Sequence, residues 1–116
     1  MYTFDSRVRY SEVGEDARIT VNAIIDYMQD CTNFQSEDLG VGLEYHKKKQ
    51  LMWVLNSWQI VIEKYPAMGE EITVGTQAYG FEKMFGYRNF LITDSSGECV
   101  AKANSIWVLM DLKKNR

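Results

Sequence analysis

The sequence predicts one α+β domain, in which a long central helix is wrapped by a curled antiparallel β-sheet of about five strands. Three observations carry this expectation. A charged, extended stretch, Arg7-Val-Arg-Tyr-Ser-Glu-Val-Gly-Glu-Asp-Ala-Arg18, breaks at Gly14 and runs into a long amphipathic segment that opens at Ile19. The chain from Leu51 onward reads as long strands bounded by turn signals. What remains leaves room for only one short helical turn.

Each element has its own reason. Tyr2, Phe4, Val8 and Tyr10 fall in residues 2–10, which read as a first strand. Thr20 is a plausible N-cap, because its side-chain oxygen can accept from an unpaired N–H of the first turn. From there Val21, Ile24, Ile25, Met28, Cys31, Thr32, Gln35 and Leu39 recur at helical spacing. Gly40 suits a left-handed C-cap, so the helix spans about 20 residues, or roughly 30 Å. Leu51 to Tyr65 is apolar on both alternating sets, which predicts a central strand covered on each side. Residues 65–69 (Tyr-Pro-Ala-Met-Gly) form a turn. Glu71 to Phe81 and Phe85 to Asp94 follow as strands, with Glu82-Lys-Met84 between them. Asp94-Ser-Ser-Gly97 is a hairpin signal, and Val100 to Leu112 closes the sheet. On that last strand Ala101, Ala103 and Ser105 form a small-residue set. The helix is expected to lie there, with Ile25 and Met28 opposite Ala101 and Ala103.

The bulk numbers limit the function. At 116 residues, with 46% hydrophobic and 25% charged residues, the chain is an ordinary single globular domain over residues 1–116. A net charge of −3 argues against nucleic-acid binding. No apolar run is long enough to span a bilayer and none opens the chain, so no membrane partner and a cytoplasmic location are expected. Two isolated cysteines, Cys31 and Cys99, fit a reducing compartment. No cofactor and no metal are implied. The second apolar set of the Leu51 strand still needs cover, which predicts a homodimer or a tandem second domain.

One helix ahead of a run of long strands is the layout of the hotdog fold, whose domains mostly handle acyl thioesters. More specific stretches resemble bacterial acyl-carrier-protein thioesterases, in their N-terminal hotdog domain. They are Arg7-x-Arg-Tyr-Ser-Glu-Val-Gly-x-Asp16, residues 27–42 (Tyr-Met-Gln-Asp-Cys-Thr-Asn-Phe-Gln-Ser-Glu-Asp-Leu-Gly-Val-Gly), residues 53–66 (Trp-Val-Leu-Asn-Ser-Trp-Gln-Ile-Val-Ile-Glu-Lys-Tyr-Pro), Gly86-Tyr-Arg-Asn-Phe90 and Ala103-Asn-Ser-Ile-Trp107. The resemblance implies two hotdogs in tandem and hydrolysis that releases fatty acids from acyl carrier protein. Its catalytic Asn-x-His and acidic residues belong to the second hotdog. The equivalent place here, Glu12 to Asn22, holds no histidine, so those roles carry over to no position of this chain. The role the resemblance does imply is shaping the acyl pocket. A non-catalytic acyl-binding or assembly module is the alternative.

The candidate residues follow from the chemistry of a thioester. Its carbonyl oxygen needs donors, and the N–H groups of Val21, Asn22 and Ala23 at the helix N-terminus could supply them, unless Thr20 simply caps the helix. A base to activate water could be Glu12, Glu15 or Asp16; acidic residues ahead of a helix also suit its dipole alone. The resemblance to single-hotdog thioesterases favours Glu12. Asp30 and Glu37 lie on the polar side of the helix, where a solvated face is the plain reading. Cys31 and His46 could pair as nucleophile and base, but Cys31 continues the apolar stripe and His46 reads as surface. Trp53, Trp58 and Trp107 are core or acyl-tunnel lining. Lys47, Lys48 and Lys49 are the densest basic patch on an acidic chain and could dock acyl carrier protein; coenzyme A is the other carrier for the thioester. Arg88, inside an apolar strand, needs a partner, and Glu63 is the expected one.

Overall fold

The computed structural model describes residues 1–111, in the order β1 (Tyr2–Arg7), a 3-10 turn (Tyr10–Glu12), α1 (Val21–Asp38), α2 (Leu43–Lys49), β2 (Leu51–Ile62), β3 (Glu71–Glu82), β4 (Phe85–Asp94) and β5 (Cys99–Asp111). The five strands form one antiparallel sheet in the order β1-β3-β4-β5-β2. The expected end of the last strand, Leu112, lies outside the described residues.

The helix begins where Thr20 accepts a hydrogen bond from the Ala23 N–H at 3.2 Å, as an N-cap should. Its buried face is Ala23, Ile24, Tyr27, Met28 and Cys31. Ile25 is only half-buried; Ile24 takes the expected core place beside Met28. The helix approaches β3 and β1 more closely than β5. The Cys31 thiol donates to the Val74 carbonyl at 3.5 Å, which shows how near the helix lies to β3. Ala101 and Ala103 are buried in the same core as Met28, but they do not form the helix's main seat. Phe90 lies beside Ala103 on the neighbouring strand and fills that space instead.

The first strand is shorter than expected. After Arg7 the Val8 N–H turns to the Glu70 carbonyl, and the Arg9 N–H donates to the Glu12 carboxylate at 2.8 Å. That bond curls the chain into the 3-10 turn.

The expected central strand is an edge strand. Among the described residues β2 pairs only with β5. The error has a local cause. Leu55 pairs with Trp107 and Ser57 with Ile106, so Asn56 is an extra residue in a β-bulge. A bulge reverses the alternation beyond it, so Leu51, Trp53 and Leu55 share the inner face with Trp58, Ile60 and Ile62. Most of the two apparently apolar sets forms one inner face, read through a change of parity. The outer face of β2 still exposes Met52 (45%), Val54 (41%) and Val61 (44%).

Candidate functional site

At the C-terminal end of α1 a cleft of about 820 Å³ opens between helix and sheet. Small-molecule sites run from about 300 to 1,000 Å³. One wall is the helix, with Gln29, Thr32, Gln35 and Leu39; His46 and Lys47 of α2 stand at its side. The opposite wall is largely apolar: Leu51, Met52 and Trp53 from β2, Phe81 from β3, and Trp107 from β5. Trp53 stands on the inner face of β2, ahead of the bulge, and so reaches the cleft.

These aromatic groups are held in place. Trp107 donates its indole N–H to Ser105 Oγ at 2.8 Å, and Ser105 Oγ donates to the Arg88 carbonyl at 2.9 Å. Trp53 and Phe81 sit with ring centroids 6.1 Å apart. Both rings crowd Gly86, where a Cβ would lie 3.2 Å from Trp53 Cζ3 and 3.3 Å from Phe81 Cε1. A side chain there would press on both rings and make them give by a few tenths of an ångström.

Arg88 also lines the cleft. Its guanidinium donates to Gln35 Oε1 at 2.7 Å and to Thr76 Oγ1 at 3.0 Å, both neutral acceptors. The expected ion pair with Glu63 does not form; Arg88 points inward toward α1, and Glu63 is exposed. Burial lowers the Arg88 pKa, against a smaller opposing effect of Cys31. An arginine stays charged through such a shift. Thr32 Oγ1 is buried with no hydrogen-bond partner among the described residues.

The other candidates scatter. Glu12 sits in the 3-10 turn, where Oε1 accepts from Tyr27 Oη at 2.5 Å and from the Arg9 N–H, while Oε2 faces Arg9 Nε at 3.4 Å. Burial, then the bond to Glu12, raises the Tyr27 pKa and keeps it a donor. Val21 and Asn22 are exposed at the helix start, Ala23 is buried, and the Ala23 N–H is taken by Thr20. This end of the helix lies about 17 Å along the axis from Thr32. The helix N-terminus and the cleft are therefore separate places. Trp53 lines the cleft, but Trp58 packs edge-on against Phe90 in the core, with centroids 5.9 Å apart. Lys47, Lys48 and Lys49 are exposed in the last turn of α2, and Lys47 reaches the cleft rim.

Cys31 is fully buried, and burial pushes its thiol pKa up to about 11. A thiol held protonated against a backbone carbonyl is not poised as a nucleophile. His46, read as surface, is half-buried at the cleft. Neither Asp30 nor Glu37 lines it. Among the described residues no cluster of three or more His, Cys, Asp or Glu side chains could hold a metal ion. A second, polar hollow of about 450 Å³ beside β1 and β3 gathers none of the predicted residues. Sequence reasoning missed the Thr32–Gln35–Arg88 cluster and Gly86. The one available signal was a charged Arg88 in an otherwise apolar strand.

A long helix seated on a curled five-stranded antiparallel sheet, with a cleft at its far end, defines a hotdog domain of the kind found in thioesterases. Residues 1–116 match the acyl-ACP thioesterase N-terminal domain, and the chain belongs to that family. It is 26% identical over 117 residues to the chloroplastic palmitoyl-acyl carrier protein thioesterase of Cuphea hookeriana, covering 94% of this chain and 28% of that protein. A Lactobacillus plantarum structure assigned as an oleoyl thioesterase superposes with a TM-score of 0.95 at 30% identity, over 99% of this chain and 45% of that one. The 12:0-ACP thioesterase of Umbellularia californica superposes with a TM-score of 0.86 at 26% identity, over 99% and 44% of the two chains. The chain thus spans under a third of the curated relative and under half of these two structures. Among the described residues no helix is long and apolar enough to cross a membrane.

Proposed function

We propose that this chain is the acyl-pocket half of an acyl-carrier-protein thioesterase. The observation that carries the reading is the cleft, with its wall of Leu51, Trp53, Phe81 and Trp107 and the exposed Lys47 of α2 at its rim. An acyl chain buried there loses its contact with water, at about 0.8 kcal/mol per methylene. Lys47, Lys48 and Lys49 attract the acidic carrier and bring its thioester to the cleft mouth. This favours acyl carrier protein over coenzyme A.

Hydrolysis adds water to the thioester carbonyl and expels the carrier thiol. In this reading the groups that activate the water and hold the oxyanion come from a second hotdog of different sequence, in tandem. The unpaired edge of β2 and its exposed Met52, Val54 and Val61 support such an association. Glu12 acts as a brace for the turn before α1, through Tyr27 and Arg9, rather than as the base. The reduced state of the two cysteines supports a cytoplasmic setting.

The test uses the purified chain with palmitoyl and shorter acyl thioesters. Calorimetry with non-hydrolysable thioether analogues should show saturable binding, and replacing Trp53 with Ala should weaken it. Free-thiol release should match buffer until a second hotdog is supplied. Absence of binding would overturn the reading. Binding with no release, even with a second hotdog present, would favour the alternative of a non-catalytic acyl-binding or assembly module. The engagement of both Glu12 oxygens supports that alternative.

A further inference from the structure

The cleft has one feature that a plain hydrocarbon does not satisfy. Thr32 and Gln35 stand one turn apart on the same face of α1. Gln35 meets Arg88 across the cleft wall at 2.7 Å. Two of the five guanidinium N–H groups donate to Gln35 and Thr76, and among the described residues no carboxylate pairs with Arg88. Thr32 Oγ1 is buried with no partner. Both residues line the same cleft as Trp53 and Phe81. A half-buried cation without an anion and a buried hydroxyl without a partner among the described residues are each unfavourable arrangements, and a ligand oxygen between them relieves both at once.

We propose that Arg88 and Thr32 form a polar subsite within the acyl cleft, and that it receives a hydroxyl or keto oxygen carried on the acyl chain. The preferred substrate class is then an oxygenated acyl thioester rather than a fully saturated one. A keto oxygen accepts from the Arg88 N–H and the Thr32 hydroxyl. A chain hydroxyl accepts from Arg88 and can donate to Thr32 Oγ1. The aromatic wall takes the methylene groups on either side. A charge-assisted hydrogen bond is strong enough to decide between two chains of equal length.

This inference rests on the acyl-pocket reading, and one experiment separates the two. Methyl dodecanoate and a series of methyl hydroxydodecanoates differing in hydroxyl position, esters with no carboxylate to pair with Arg88, are titrated into the purified chain by calorimetry. At least one hydroxy isomer should bind about tenfold more tightly than methyl dodecanoate. In Thr32→Val, which keeps the side-chain shape and removes the oxygen, the ratio of the two affinities should fall, because Arg88 alone then holds the ligand oxygen. Methyl dodecanoate binding as tightly as every hydroxy isomer would overturn the polar subsite and leave the acyl pocket standing. An advantage undiminished in Thr32→Val would overturn the role of Thr32 in it. Failure of every ester to bind would overturn the acyl pocket itself, and the subsite with it.

Discussion

Replacing Glu12 with Gln separates two roles that one carboxylate could have. In the structure Glu12 Oε1 accepts from Tyr27 Oη at 2.5 Å and from the Arg9 N–H at 2.8 Å. Hydrogen bonds to a charged group contribute about 1.5–3 kcal/mol, against about 0.5–1.5 kcal/mol for a neutral pair. Gln keeps one acceptor oxygen and loses the charge, so each of the two bonds weakens without vanishing. The exposed Arg9 pair adds little. The expected cost is about 1–2 kcal/mol, or a fall in Tm of roughly 4–10 °C for a domain of this size. Urea and thermal unfolding measure it. An unchanged Tm would refute the brace. If the parent chain hydrolyses thioesters, and Glu12→Gln retains its stability while losing turnover by on the order of 10²-fold, the carboxylate is the base.

Three further outcomes follow from the same structure. Reversing Lys47, Lys48 and Lys49 to Glu should weaken binding of acyl carrier protein at least tenfold, and the parent's affinity should fall as salt is raised; titration at two ionic strengths checks both. Ala103→Leu should cost about 1–3 kcal/mol in urea unfolding, because Ala103 is buried between Phe90 and Ile60 on the flanking strands. The Lys64 ammonium and the Ser96 hydroxyl hold the Asp94 carboxyl well below the usual carboxylate range. A carboxyl whose folded pKa is depressed supports the fold above its unfolded pKa of about 4 and loses that support as pH falls below it. Acid titration should show this loss in the parent and a smaller one in Asp94→Asn.

Much of the fold was legible because its signals are local. Thr20 announces the helix through one side-chain oxygen, and Asp94 to Gly97 announces a hairpin in four residues. Strands β3 and β4 begin and end within a residue of their expected limits. The position of β2 was not legible, because a single bulged residue at Asn56 gives the string two apolar alternations and hides which is real. The cleft was half-legible. Trp53 and Lys47 could be picked out by type, yet nothing local shows that residues from six elements meet at the far end of α1. Arg88 was correctly flagged as needing a partner. That partner, Gln35, lies 53 positions away and is not charged, so a search for carboxylates passed it by.

Gly86 carries a consequence of a different kind. The rings of Trp53 and Phe81 close over the one inner position of β4 that has no side chain to offer, and a single added carbon there would meet both at 3.2–3.3 Å. The backbone pairing of Gly86 with Trp107 and Phe81 makes no demand on what that side chain is. The space between the rings therefore depends on an atom that is missing. In the proposed acyl pocket, one codon change at Gly86 would alter the room open to a chain while every strand stayed in register. Under that proposal, chain preference is free to drift faster than the architecture that houses it.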